Sequence, residues 1–186
     1  MKIIFTAALL ILLAACHSAQ GPAAPPIVTD LRTQGPVDPL HARMDSLLQA
    51  YYRLKNDMVI FDTVGADSDV ILISGAIRNM PLDSIRDTSK KQLAQSGFSS
   101  LEGELEGFTG EHSNEGKLEE FQMISDITYD LIKTVGLKYQ TVYRQFCPMA
   151  FNDKGAYWLS DRQKIENPYL GKKMPDCGEV RETMKY

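Results

Sequence analysis

The chain has 186 residues, 20 basic and 24 acidic, for a formal charge of −4, and 44% of it is hydrophobic. This is the size of one modest domain with appendages. The mild acidity gives no electrostatic footprint for nucleic acid, and it does not repel a cation. The chain has three cysteines, Cys16, Cys147 and Cys177, and in an oxidising compartment a disulfide between the last two is the default expectation.

The chain begins Met1-Lys2, one positive charge, followed by the apolar run Ile3 to Ala15. That run is too short to span a bilayer as a stable helix and reads as the core of an export signal. It ends Leu13-Ala14-Ala15-Cys16, which resembles the lipobox of bacterial lipoproteins. The resemblance implies a signal peptide over 1–15, cleavage before Cys16 and acylation of that thiol. The protein would then sit at the periplasmic face of a bacterial membrane, with its domain in water. An ordinary secretory signal with an incidental cysteine is the alternative. Residues 16–36 are rich in Ala, Gly, Pro, Ser and Gln and read as a flexible tether.

Val37-Asp38-Pro39 opens the domain, with Asp38 as helix N-cap and Pro39 in the first turn. Leu40, Met44, Leu47, Tyr51, Leu54 and Met58 recur at three- and four-residue spacing and predict a helix to about Ile60. Val64-Gly65-Ala66-Asp67 reads as a turn. Val70-Ile71-Leu72-Ile73 is open to two readings, a strand paired with Met58–Phe61 or a helix. Val70, Ile73, Ile77 and Met80 favour a helix from about Ala66 to Met80. Pro81 starts a third helix running to about Ser96, where Gly97 interrupts, with Leu101, Leu105 and Phe108 adding a turn or two. Phe108 to Ser113 reads as loop, with His112 as a surface histidine. Ser113 or Asn114 caps a fourth helix striped by Leu118, Phe121, Ile124, Ile127, Leu131 and Val135 and stopped by Gly136. The expectation is a mainly α fold, an up-down bundle of about four helices over 37–141. A loop-rich Cys/Met region over 142–186 packs on it as part of the same domain, with residues 139–143 extended in character.

The chemistry-bearing residues gather in that last region. Cys147-Pro148-Met149 places two sulfurs two residues apart, and Met174-Pro175-Asp176-Cys177 places two more three apart. Soft thiolate and thioether donors select soft ions such as Cu(I), whereas zinc draws on Cys and His, and no His lies in this stretch. Cys147, Met149, Met174 and Cys177 are therefore the candidate metal set. The competing reading for Cys147 and Cys177, in an exported chain, is a disulfide closing a loop of about 30 residues and contributing roughly 3–4 kcal/mol. An oxidised pair would be closed to metal, and the two states can exchange. For Met149 and Met174 the competing reading is core filling. Trp158 and Tyr157 are expected to pack against the helices; a ring over a bound cation, worth about 0.5–2 kcal/mol, is the sharper alternative. Ser160 reads as a helix N-cap, Asn167-Pro168 and Gly171 as turns, and Gly178 as a positive-φ position. No His, acid and nucleophile stand at recognisable spacing, so no catalytic residue is assigned and an enzyme is not expected.

Residues from about Val142 to Thr183 resemble a domain of unknown function found in periplasmic lipoproteins and at the C-terminus of periplasmic adaptor subunits of heavy-metal efflux pumps. The resemblance rests on Cys147–Ala150 (CPMA), Gly155–Ser160 (GAYWLS), Ile165–Met174 (IENPYLGKKM) and Cys177–Val180 (CGEV). Before these, Tyr51 and Leu54 fit the family's first helix, and Phe121 and Ser125 its last. Leu170 and Pro175 depart from the pattern at positions that bear on packing. The resemblance implies a soft-metal role, Cu(I) or Ag(I), with a heavy-metal efflux complex as partner. Binding module and disulfide-stapled interaction domain are thus the two functions the sequence leaves in competition.

Overall fold

A computed structural model of the chain describes residues 38–186. The expected signal peptide, Cys16 and tether fall outside the described residues. The described part is mainly helical, with four long helices followed by a small antiparallel sheet.

α1 spans Pro39–Ile60. Asp38 caps it as expected, accepting the Leu40 N–H at 3.1 Å, and its apolar stripe is buried from Leu40 to Met58. The left-handed residue Phe61 ends it, and Asp62 immediately caps α2, Thr63–Ile77, by accepting the Gly65 N–H at 3.0 Å. The predicted turn at 64–67 is therefore the first turn of α2. The cap at Asp62 outweighs the low helix propensity of Gly65.

The third helix departs further from expectation. After a short 3-10 turn at Leu82–Ser84, α3 runs without a break over Thr88–Gly110, through Gly97, Gly103 and Gly107. Glycine propensity is overridden by the continuous buried stripe Ala94, Phe98, Leu101, Leu105 and Phe108. Gly97 also has a packing reason: a Cβ there would come within 2.8 Å of the Leu131 side chain on the neighbouring helix. α4 spans Asn114–Val135, capped by Ser113 and closed at Gly136. α1 packs on α2, α2 on α3 and α3 on α4.

The C-terminal region is less loop-like than predicted. Three strands, β1 Thr141–Cys147, β2 Ala156–Ser160 and β3 Glu179–Lys185, form a sheet in the order β2-β1-β3 with both pairs antiparallel. The β1–β3 register shifts between Arg144 and Gln145, leaving Arg181 as the extra residue of a bulge. β2 lies against α4 and α1, so the motif is built onto the helices by its edge strand. Ser160, expected at a helix N-terminus, ends β2 instead; its Oγ accepts the Arg162 N–H at 3.0 Å in a tight turn.

Candidate functional site

Cys147 ends β1 and Cys177 stands two residues before β3. Because β1 and β3 are paired, with Phe146 opposite Glu179, the two thiols arrive at one place. Their Sγ atoms are 2.8 Å apart. Cys147 is fully buried and Cys177 half-buried, and neither is in a disulfide.

Two backbone devices fix this meeting. After Cys147-Pro148-Met149 the chain makes one turn, Ala150–Asp153, in which Phe151 (φ 51°), Asn152 (φ 56°) and Asp153 (φ 66°) are all left-handed. Asn and Asp tolerate that conformation; for Phe it is strained, and such strain persists only where the surroundings enforce it. Phe151 is held by its edge-on contact with the Tyr169 ring, centroids 5.4 Å apart. On the other side, Gly178 has φ 141°, and a Cβ there would lie 2.9 Å from both the Phe146 carbonyl and the Trp158 ring. Only glycine lets β3 approach so closely behind Cys177.

Asn167 organises the loop between the strands. It is completely buried. Its Oδ1 accepts the N–H groups of Tyr169 (2.8 Å) and Leu170 (2.9 Å), its Nδ2 donates to the Cys177 carbonyl at 2.6 Å, and its own N–H donates to the Pro175 carbonyl at 2.9 Å. One side chain thus shapes the Asn-Pro-Tyr turn and pins the segment carrying Cys177. The sequence reading took Asn167 only as a turn former.

Two residues of α1, Tyr51 and Lys55, and its C-cap Phe61 dock the motif. The Tyr51 hydroxyl accepts the Leu159 N–H at 3.0 Å and donates to Ser125 Oγ at 2.7 Å, and Ser125 donates to the Phe121 carbonyl at 2.8 Å. Lys55 is buried, with its Nζ 3.4 Å from Glu166 Oε2. Burial pulls the Lys55 ammonium below its ordinary range, with Glu166 opposing. For Glu166, burial acts to raise the carboxyl, but Lys55 and Lys164 outweigh it and hold it low. Phe61 sits against Gly171, where a Cβ would strike its ring. Phe121 stacks on Tyr51 at 5.8 Å and tilts onto Tyr169 at 5.6 Å. Glu166 carried no sequence signal, and Lys55 carried one that was not used, a lysine inside an apolar helical stripe.

The aromatic rings are occupied by the protein itself. Trp158 is fully buried, edge-on to Tyr169, which matches the packing expectation. Tyr157 lies against Phe146 at 4.5 Å, and its face carries the Arg144 guanidinium at 4.0 Å, with Tyr129 on the other side at 3.8 Å. Arg144 is further tied to Asp126 at 3.1 Å. The cation over Tyr157 is therefore an arginine.

Of the four candidate sulfur residues, the structure brings the two cysteines into contact. Met149 and Met174 are neither core residues nor fully exposed, at 44% and 39%. Their backbones adjoin the thiols: the Met149 N–H faces Cys177 Sγ, and the Met174 carbonyl accepts the Cys177 N–H at 3.2 Å. The Cys177 thiol is pushed up to about 11, first by its hydrogen bond with Cys147 and then by burial; the Met149 N–H works the other way.

Donor chemistry fits a soft ion and spacing sets a condition. Two metal–sulfur bonds of about 2.3 Å at a tetrahedral angle hold their sulfurs about 3.8 Å apart. At 2.8 Å the pair must open by roughly 1 Å to chelate an ion in that geometry. Among the described residues no three His, Cys, Asp or Glu side chains gather as a metal site. A third ligand would have to be thioether or backbone. No described helix is long and apolar enough to cross a membrane. The chain matches no protein-family profile, no curated protein and no solved structure.

Proposed function

We propose that the chain is a lipid-anchored envelope protein that takes up one soft monovalent ion, Cu(I) or Ag(I), at Cys147 and Cys177, for buffering or for delivery to a heavy-metal efflux complex. The observation that carries this reading is the contact between two sulfurs 30 residues apart, prepared by Asn167, Gly178 and the left-handed turn. Cys147 and Cys177 act as thiolates; Met149 and Met174, half-exposed beside them, offer thioethers for capture and release. Uptake releases protons, because Cys177 is held protonated at neutral pH. The likeness of the CPMA, GAYWLS, NPY and CGEV segments to efflux-associated domains supports the same function. Acylation at Cys16 supplies the anchor in this reading. An up-down sense for the four helices belongs to it too, supported by the short connections between helices that pack in sequence order.

A second reading is favoured by the 2.8 Å separation itself. Closing to a disulfide requires less movement than opening to a metal site. The motif is then a stapled cap on the helices, and function lies in contact with an envelope partner.

One experiment separates the two. The full chain, reduced and as isolated, is titrated with Cu(I) against a chromogenic Cu(I) chelator while free thiols are counted. The metal reading expects one ion per reduced chain, none per oxidised chain, and weaker retention in Met149→Leu or Met174→Leu. Two unreactive thiols as isolated, with no tight uptake after reduction, overturn it in favour of the staple.

A further inference from the structure

α2 is rich in apolar and small residues, and the two acids within it, Asp67 and Asp69, are ion-paired inside the chain. Yet one stripe of it is open to solvent along its whole length. Val64 (76% exposed), Ser68, Ile71 (67%), Leu72 (48%) and Gly75 share that stripe at helical spacing, and no charged residue interrupts it. α1 and α3 pack against the rest of the helix.

The ends of the stripe are oppositely charged. Asp62 and Asp67 stand at the N-terminal end, and the exposed Arg78 stands just past the C-terminal end. We propose that this face pairs with the same face of a second copy of the chain, the two α2 helices antiparallel about a two-fold axis between Ile71 and Leu72.

Three features select that occupant. First, the middle of the stripe is its own complement when reversed: Ile71 meets Leu72 and Ser68 meets Gly75. Small residues thus face small residues on either side of a large central pair, which allows the close approach, about 8 Å between axes, of well-packed helices. Second, reversal sets the exposed Arg78 of each copy near the exposed Asp62 of the other, giving two equivalent charge contacts at the rim, while Asp67 is held by Lys117 of its own chain, and it opposes the helix dipoles. Third, the charges bordering the stripe include acids. A helix that lies on an anionic lipid surface carries Lys or Arg there instead.

The contact is symmetric and closed, as expected of a dimer. One helix face per copy is a small interface, so self-association is expected to be weak in solution. Tethering both copies to one surface would raise their effective concentration.

The discriminating variant is Gly75→Arg. A Cβ at Gly75 meets nothing within 4 Å, so the fold accommodates the side chain, and arginine is the better helix former. Sedimentation equilibrium of the full chain in detergent is compared with that of the variant across protein-to-micelle ratios. Chance sharing of a micelle is the same for both proteins and cancels. The expected result is a concentration-dependent dimer whose dissociation constant rises about 100-fold or more in Gly75→Arg and about 10-fold in Arg78→Glu. Circular dichroism and thermal unfolding confirm that both variants fold. A monomer at every ratio, or a dimer that Gly75→Arg leaves intact, overturns the proposal and gives the stripe to another molecule. Neither outcome bears on metal uptake at the cysteines.

Discussion

Tyr51 on α1 and Leu159 on β2 are 108 residues apart, yet the Tyr51 hydroxyl accepts the Leu159 backbone N–H at 3.0 Å. β2 is an edge strand, and its outward N–H groups would otherwise face the interior unpaired. The phenol supplies one acceptor and donates its own O–H in a hydrogen bond to Ser125 Oγ. Burial drives its ionisation far upward, so it remains a neutral relay of hydrogen bonds.

Tyr51→Phe therefore leaves a buried N–H unmatched while barely changing the packing. The expected cost is about 1–3 kcal/mol in urea unfolding. Ser125→Ala removes the next member of the chain. Because the two share one network, the double variant should fall short of the sum.

Asn167→Ala removes three side-chain hydrogen bonds at once from a fully buried site. The expected loss is roughly 2–4 kcal/mol. It also frees the segment that carries Cys177, so air oxidation of the thiol pair, followed by loss of free thiols, should slow. Asn167→Asp is the stricter test: it keeps both acceptor contacts but places an anion against the Cys177 carbonyl. Oxidation as fast as in the parent chain would show that Asn167 has no part in positioning the sulfur.

The Cys177 thiol, raised to about 11 by Cys147 and burial, gives a pH signature. Its folded value lies above that of a free thiol. Its contribution to stability is therefore present below about pH 9 and lost as pH rises through about 11. Thiolate absorbance of the reduced chain should show a titration near 11 that disappears in Cys177→Ser. Alkylation at pH 8 should be slow, and Cu(I) affinity should rise with pH across the neutral range.

Asp57, near the C-terminal end of α1, is pushed up to about 6, by burial first and then by Asp69 and Asp62, with Arg53 opposing. The folded value again exceeds the unfolded one. Its stabilising effect holds below about pH 4 and is lost as pH rises through about 6. Asp57→Asn should therefore stabilise the chain at pH 7 and make no difference near pH 4. Chemical unfolding at the two pH values checks both halves of that statement.

The helices were legible where one periodic stripe and one cap agreed. Asp38 with Leu40 to Met58 located α1, and Ser113 with Gly136 located α4. α3 was split at Gly97 because propensity is a local quantity, whereas Gly97 serves a contact with Leu131 on another helix. The cysteine pair was legible as a pair; its contact depends on strand register between β1 and β3, which spacing along the chain does not encode. Lys55, Asn167 and Arg144 were missed as determinants for a related reason. Each is a polar residue whose partners, Glu166, the Cys177 carbonyl and the rings of Tyr129 and Tyr157, come from segments brought together only by the fold.

Because Tyr51, Lys55 and Phe61 reach the motif across more than a hundred residues of chain, the order of assembly is constrained. Nearly all contacts among the four helices can form before the last segment is in place, whereas the two thiols meet only once β1 and β3 have paired. Long-range closure of this kind is slow compared with helix formation. Until then Cys147 and Cys177 remain separate, and each can be reached by a passing oxidant or metal ion. The thiols are therefore most open to chemistry in the partly folded chain, before the sheet brings them together.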